Sequence, residues 1–119
     1  MKKVLWISRH QMTVDQFADL ERVMKDNVKL DVYADSVKNV EELKEPVKNC
    51  DAVAAVLPSD LMSGLWKMTG DKMLLEAVSA RIPTGRMTEL GDGRREKEFA
   101  FKHIGWKQIV KYDVESRIL

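Results

Sequence analysis

This chain of 119 residues lacks several features that mark particular chemistries. It has one cysteine, Cys50, so it can form no internal disulfide. Its two histidines, His10 and His103, are too far apart in sequence to form a spaced metal-ligand motif. No G-x-G-x-x-G follows the first predicted strand, and no G-x-x-x-x-G-K-[ST] occurs anywhere. We therefore expect no metal, no cofactor and no nucleotide gripped by a glycine loop.

Long apolar runs and an excess of one charge are also missing. No apolar run approaches the roughly 20 residues that span a bilayer, and no signal-peptide core follows Lys2-Lys3. The formal net charge of +1 gives no general attraction to nucleic acid or to an anionic membrane. We expect a cytoplasmic protein without membrane association or direct DNA binding. Any anion site must be a local group of Arg and Lys side chains.

What is present is the alternation of an α/β protein. The content of 45% hydrophobic and 33% charged residues is typical of one globular domain, here residues 1–119. Strands and helices alternate over residues 3–78, which predicts a Rossmann-like, mostly parallel sheet. If its strand order is 2-1-3-4, strands one and three lie side by side. The predicted strands cover residues 3–7, 28–33, 51–57 and 73–78.

Local signals indicate where the helices begin. Thr13 and Gln16 have capping-box spacing, which starts the first helix. Asn39 is expected to cap a second helix that Pro46 kinks or shortens. Ser59 is expected to cap a third. The predicted helices cover residues 14–24, residues from 40 onward, and residues 59–68.

The C-terminal third departs from the alternation. Gly91-Asp92-Gly93 is a turn signal between extended stretches at residues 82–90 and 94–104. A last strand is predicted over residues 107–119. These segments predict a C-terminal antiparallel hairpin and strand extension over about residues 82–119. It would cover a sheet edge or reach a partner subunit.

Polar side chains cluster at three joins that follow strands, at residues 8–13, 57–61 and 79–86. Ligands of open parallel sheets bind outside the carboxyl ends of the strands, so we expect a site between strands one and three. Arginines, hydroxyls and helix N-termini there favour a phosphate ligand. Because the joins lack a pair of carboxylates, we do not expect glycosidase or aspartyl chemistry. The candidates at the joins are Ser8, Arg9, His10, Gln11, Thr13, Ser59, Ser79, Arg81, Thr84 and Arg86.

Several of these residues also have ordinary structural interpretations. An Arg or His after a strand is commonly a surface or capping residue, and Ser59 can be a helix N-cap alone. Trp6 and Trp66 fit core packing better than base stacking. His103 shares one side of a strand with two phenylalanines, so half-buried packing and a role in the site both stay open.

Taken together, the joins resemble the small CRISPR-associated ring nucleases, which are CARF-like domains of type III systems. The matching segments are Ile7-Ser8-Arg9-His10 with Met12-Thr13 and Gln16 in the first strand and helix, Val56-Leu57-Pro58 with Leu61 after the third strand, and Ser79, Arg81, Asp92-Gly93, Phe101-Lys102-His103 and Trp106 near the end. The third-strand segment resembles one branch of the family and the C-terminal segments another. The second strand and helix match no part of it.

The resemblance implies a homodimer that holds a cyclic oligoadenylate, usually cyclic tetra-adenylate, across its two-fold axis. It implies metal-independent cleavage by a ribose 2′-OH, which switches off type III CRISPR signalling. Arg9 and Arg81 would then clamp phosphate, and His10 would be the acid/base or orienting group. The expected ligand-binding side chains are Ser8, Gln11, Thr13, Ser59, Ser79, Thr84 and Arg86, with His103 as a secondary candidate.

One departure from the family pattern leaves other functions open. The third strand leads into Leu57-Pro58-Ser59, where one branch of the family has a glycine-rich motif. The same residues therefore also fit a non-catalytic sensor or sponge for a cyclic nucleotide, with an anti-defence role among the options. They also fit a small Rossmann-like interaction protein whose terminal strands pair with a partner.

Overall fold

A five-stranded sheet with the order β2-β1-β3-β4-β5 organises the chain in a computed structural model, which describes residues 1–91 and 93–111. The elements are β1 (Lys2–Ile7), α1 (Val14–Met24), β2 (Val28–Tyr33), a 3₁₀ turn (Val40–Leu43), α2 (Lys44–Lys48), β3 (Ala52–Ala55), α3 (Ser59–Thr69), β4 (Met73–Glu89) and β5 (Arg95–Gln108). Strands β1 to β4 pair in parallel, and β5 pairs antiparallel with β4. The mixed α/β class, the mostly parallel sheet and the antiparallel addition are therefore confirmed, and the first four strands have the order 2-1-3-4.

The two central strands form the middle of the core. All of β3 and the last four residues of β1 are buried, as expected for strands covered on both faces. On one face Trp6 packs with Leu20 of α1, and on the other Leu5 packs with Leu43 and Leu65. This layering places the carboxyl ends of β1 and β3 side by side at one edge of the sheet.

The start of α1 is the predicted capping box. Thr13 Oγ1 accepts from the backbone N–H of Gln16 at 3.1 Å, and Gln16 Oε1 accepts from the N–H of Thr13 at 2.9 Å. These bonds satisfy two donors that would otherwise lack partners at the helix start. The hydroxyl of Thr13 is therefore used as the N-cap of α1, which begins at Val14, seven residues after the end of β1 at Ile7.

Of the predictions about the other helices, the cap at Ser59 differs from the structure, whereas the cap at Asn39 and the shortening at Pro46 agree with it. The cap of α3 is Pro58, so Ser59 is the first helical residue and makes no capping bond. An N-cap side chain accepts from the second or third helical residue, and Ser59 stands one position too late to do so. The second helix divides into a 3₁₀ turn, capped by Asn39, and the five-residue α2. Pro46 lies within α2, where its missing N–H explains the short helix.

The third strand is shorter than predicted, because β3 ends at Ala55. Val56 still donates its N–H to the carbonyl of Ile7 at 3.1 Å, but its side chain is exposed as the chain turns toward α3. An apolar residue after a strand thus need not belong to it. The turn opens the space beside the end of β1.

The largest difference from prediction lies in the C-terminal part. β4 continues from Met73 to Glu89 without the break predicted after residue 78, so no third join exists. β5 also continues through Gly105. The reason is cross-strand pairing, since β5 supplies partners almost along the whole of β4, and Pro83 is accommodated at a register shift. Of the last predicted strand, residues 107–108 belong to β5, residues 109–111 are not strand, and residues 112–119 lie outside the described part.

The β4–β5 hairpin projects beyond the parallel sheet. The pairing of β4 with β3 ends at Glu76, and we call residues 79–89 and 95–103 the ribbon. At about 3.3 Å per residue, β4 extends roughly 40 Å past Glu76. The radius of gyration, 17.2 Å, accordingly exceeds the roughly 13–14 Å of a compact chain of this length. No helix among the described residues is both long and apolar enough to cross a membrane.

Candidate functional site

The loop after β1, residues 8–12, is fixed by hydrogen bonds from buried groups. Ser8 Oγ accepts from the N–H of His10 at 3.0 Å, and Trp6 Nε1 donates to the carbonyl of His10 at the same distance. The N–H of Ser8 donates to the carbonyl of Tyr33 at 3.3 Å, which extends the ladder between β1 and β2. Trp6 and Ser8 are 2% and 7% exposed. The loop is therefore anchored by hydrogen bonds to two buried residues, Trp6 and Ser8.

Two side chains of this loop are exposed and have no protein partner. Within residues 1–91 and 93–111, neither the Arg9 guanidinium nor the His10 imidazole makes a hydrogen bond or ion pair. A guanidinium presents five donors in a fixed fork that matches phosphate oxygens. The structure thus leaves a cation and an imidazole available to an anion at the end of β1.

Two cavities border the loop. The larger has a volume of about 440 Å³, within the range of small-molecule sites. Its lining residues are Trp6, Ser8, Arg9, His10, Gln11, Met12, Leu30, Val32 and Ala34. One wall is apolar and the rim is polar, an arrangement that can hold a flat apolar group and orient it by hydrogen bonds.

The smaller cavity, of about 190 Å³, lies between the carboxyl ends of β1 and β3. Ser8 and Arg9 line it from β1, Pro58 and Leu61 from the start of α3, and Asp35 from the segment after β2. This is the crevice that the strand order predicts at the topological switch point. Because Arg9 borders both cavities, its guanidinium can serve a ligand in either.

The other candidates from the sequence do not join this group. Ser59 is exposed at the first position of α3 and is not among the residues that line either cavity. Ser79 and Arg81 lie in the ribbon, where Ser79 pairs with His103. The Arg81 Cζ atom lies 3.8 Å from the centre of the Phe99 ring, a cation–π contact. In the described chain Arg81 is therefore part of the ribbon surface and not of a strand end.

Thr84 and Arg86 lie further along the ribbon, at the irregular pairing between Pro83 and Met87. The Thr84 hydroxyl donates to the carbonyl of Glu98 and accepts from the N–H of Arg86, both at 3.3 Å. Its hydrogen bonds thus shape the ribbon. Thr84 and Arg86, which were expected to bind ligand, therefore belong to a β-hairpin.

His103 is packed between the ribbon and α1. Its side chain is 7% exposed, and its Nε2 lies 2.9 Å from Asp19 Oδ2. The hydrogen bond with His103, and a second at 2.7 Å from Arg22 Nε to Oδ1, hold the pKa of Asp19 below its ordinary value. Of the two alternatives for His103, the structure places it in half-buried packing, with a carboxylate partner on the helix.

The contact between α1 and β5 is absent from the predictions. Trp106 Nε1 donates to the carbonyl of Gln16 at 3.0 Å, and its ring stands edge-on to Trp6 with 5.8 Å between ring centres. The sequence carries no local signal for this contact, because the acceptor is a backbone carbonyl 90 residues from the indole. Trp106 is therefore a packing residue that ties β5 to the helix after the loop.

Within the described residues, no group of three or more His, Cys, Asp or Glu side chains is placed to hold a metal ion. Comparisons of the chain with protein-family models, curated proteins and solved structures found no match. The function must therefore be argued from the loop and its cavities, because fold class alone does not determine activity.

Proposed function

We propose that this chain is a Rossmann-like, CARF-like domain that binds a cyclic oligoadenylate at the loop of residues 8–12 and cleaves it without a metal. The observation that carries the proposal is a pair of exposed side chains, Arg9 and His10, that have no partner among the described residues and lie beside a cavity of about 440 Å³. The resemblance of this segment to the ring nucleases supports the choice of ligand. The consequence would be loss of a cytoplasmic type III CRISPR signal.

Binding follows from the chemistry of the loop. The Arg9 guanidinium would pair with phosphate oxygens through two parallel N–H donors. The Ser8 hydroxyl already accepts from the N–H of His10 and still has its own proton to donate. Gln11 offers an amide at the rim, and the apolar wall formed by Met12 and Leu30 suits an adenine ring. These contacts would hold one nucleotide with its phosphate against the loop.

Cleavage would use the ligand's own nucleophile. A ribose 2′-oxygen forms a bond to the adjacent phosphorus, and the bond to the 5′-oxygen of the next nucleotide breaks. The products are a 2′,3′-cyclic phosphate and a 5′-hydroxyl, so one proton leaves the 2′-oxygen and one reaches the 5′-oxygen. Arg9 would stabilise the charge on the phosphoryl oxygens, and His10 would transfer a proton, worth roughly 10²- to 10⁴-fold in rate.

A homodimer belongs to the same proposal. A ring of four nucleotides is larger than one cavity of about 440 Å³ can enclose. A two-fold pair of chains would present two copies of the loop to opposite sides of a symmetric ring. Arg81 and His103, which lie in the ribbon, are not needed for this arrangement.

A non-catalytic sensor or sponge is the second candidate. Of the nine residues that line the larger cavity, His10 is the one with an imidazole, the side chain that most often transfers protons in catalysis. In-line cleavage needs a proton removed at one oxygen and delivered at another, so one imidazole supplies only part of that transfer. A protein that only sequesters the messenger would need Arg9 and the cavity alone.

The test is to incubate the protein, with EDTA always present, in three separate mixtures that contain cyclic tri-, tetra- or hexa-adenylate. Each mixture is analysed by HPLC and by native gel shift. A linear product ending in a 2′,3′-cyclic phosphate supports the nuclease. A shifted protein whose ring is recovered intact supports the sensor or sponge. If no ring gives either a shift or a product, the nuclease and the sensor or sponge are both overturned. An interaction protein would then be the better explanation.

A further inference from the structure

The ribbon has two faces of different chemistry. Successive side chains of β5 alternate between faces, so Arg95, Lys97, Phe99 and Phe101 share one face, and Glu96, Glu98 and Lys102 share the other. Directly opposed residues of β4 add Arg81 to the first face, because Arg81 pairs with Phe101. One face is thus cationic and aromatic, whereas the other carries two carboxylates and one ammonium group.

Of the two aromatic side chains on the first face, Phe101 is exposed and Phe99 is partly buried. The Phe101 side chain is 78% exposed, and the Arg81 guanidinium is stacked on Phe99 next to it. The one carboxylate that pairing places on this face is Glu89, whose Oε1 lies 3.6 Å from a guanidinium nitrogen of Arg95. Both partners of that pair are well exposed, so it contributes little and its arginine can exchange partners.

The ribbon also differs in charge from the rest of the chain. The ribbon, residues 79–89 and 95–103, contains five Arg and Lys against three Asp and Glu, whereas residues 1–78 contain eleven against thirteen. The net charge of +1 therefore combines an acidic body with a basic projection. A local concentration of cations attracts polyanions even when the whole protein is close to neutral.

From this arrangement we infer that the cationic face of the ribbon binds single-stranded nucleic acid. Cations along a strand face contact the phosphates, and exposed aromatic rings stack with unpaired bases, which is how sequence-tolerant single-strand binders work. Phe99 and Phe101 are two residues apart, roughly 7 Å along the strand, comparable to one nucleotide step in an unstacked single strand. Arginine stacked on Phe99 adds a second planar surface for a base.

The aromatic pair decides between kinds of polyanion. An acidic peptide or a duplex would use the lysine and arginine side chains but would leave an exposed phenyl ring without a partner. A single strand uses both kinds of side chain, because its phosphates contact the cations and its unpaired bases stack on the phenyl ring. This inference is independent of the function proposed for Arg9 and His10, because the ribbon residues line neither cavity of that loop.

The experiment is a fluorescence anisotropy titration of the full chain with a labelled RNA of about 12 nucleotides, its DNA counterpart and the matching duplexes, at several salt concentrations. Phe101→Ala is expected to weaken single-strand binding roughly 5- to 150-fold, and Phe101→Tyr to restore it, because tyrosine keeps the ring. Circular dichroism of each variant checks that the exposed substitution leaves the fold intact.

Lysines on opposite faces of β5 provide a matched pair. Lys97→Ala should weaken binding and lower the slope of log K against log salt by about 0.7, the value for one phosphate contact on a single strand. Lys102→Ala removes the same charge from the other face and should leave both quantities close to those of the unmodified chain. Equal losses in the two variants would overturn the assignment of the face.

Three other outcomes would also overturn the inference. The first is the absence of binding to single strands at low salt. The second is equal affinity for the duplexes, since stacking with unpaired bases would then play no part. The third is binding of an acidic polypeptide such as poly-glutamate with the same dependence on Phe101, which would make the ribbon a protein-binding surface. Arg9→Ala should leave RNA binding unchanged, which separates this result from the fate of the proposed function.

Discussion

The Nε2 atom of His103 lies 2.9 Å from Oδ2 of Asp19, although 84 residues separate the two. Three residues before Asp19 on the same helix, the carbonyl of Gln16 accepts from Trp106 Nε1. Two side chains of β5 thus hold one face of α1. Because α1 begins directly after the loop of residues 8–12, the loop, the helix and the base of the ribbon are mechanically connected.

The Asp19 carboxylate should make stability depend on pH. Its pKa is lowered in the folded chain, so its contribution is fully present above the unfolded value of about 4 and is lost as pH falls through the folded value. Asp19→Asn should remove this part of the acid dependence and cost about 1–3 kcal/mol near neutral pH, because charge-assisted hydrogen bonds are lost. Urea denaturation of both proteins between about pH 3 and pH 7 measures the difference. An unchanged acid limb in the variant would contradict the assignment.

His103 should affect stability and not ligand binding. His103→Ala removes a buried ring from the contact between α1 and β5, and we expect a loss of about 2–4 kcal/mol. Thermal denaturation by circular dichroism should show this as a lower Tm. The affinity for cyclic tetra-adenylate, measured by native gel shift at a temperature where the variant is folded, should stay unchanged. A variant with full stability and lost affinity would instead return His103 to the site.

Arg9 and His10 should separate affinity from turnover if the proposed cleavage occurs. His10→Ala should lower the cleavage rate roughly 10²- to 10⁴-fold with little change in Kd, because proton transfer matters in the transition state. Arg9→Ala should weaken binding about 10- to 100-fold, since a charge-assisted bond to phosphate is lost. Single-turnover HPLC assays and gel-shift titrations give the two quantities. Full turnover in His10→Ala would remove the acid/base role.

Trp6 should support the loop from below. Trp6→Phe removes the Nε1 donor to the carbonyl of His10 and should cost about 1 kcal/mol, because this partly buried hydrogen bond is lost. The loosened loop should also bind ligand less tightly. Trp66→Phe is the matched control, since Trp66 packs against the other face of the sheet. Denaturation and gel-shift measurements on both variants check the prediction. It is contradicted if Trp66→Phe loses as much ligand affinity as Trp6→Phe.

The features that local chemistry determines were predictable from the sequence. The capping box of Thr13 and Gln16 and the end of β1 depend on residues within one helical turn, and both agree with the structure. The crevice between β1 and β3 was expected on the condition that the strand order is 2-1-3-4, and the structure has that order. These features are enough to place Arg9 and His10 at the edge of the sheet.

The features that depend on distant partners could not be predicted in this way. The strand was expected to end at residue 78, yet pairing with β5 keeps residues 73–89 in one long strand. The bond from Trp106 to Gln16 spans 90 residues and has no local pattern. The charge asymmetry was visible in the sequence, but a single net value for the whole chain concealed it.

The projection of the ribbon has a consequence for how the protein unfolds. Residues 81–91 are exposed throughout, so this part of the hairpin contributes little to either core cluster and opening it costs little apolar burial. Amide hydrogens of the distal ribbon should therefore exchange through a local opening, whereas those of β1 and β3 should exchange only when the whole chain unfolds. The protein behaves as a stable core and a separately fraying arm, so sequence changes in the arm carry little penalty for the core.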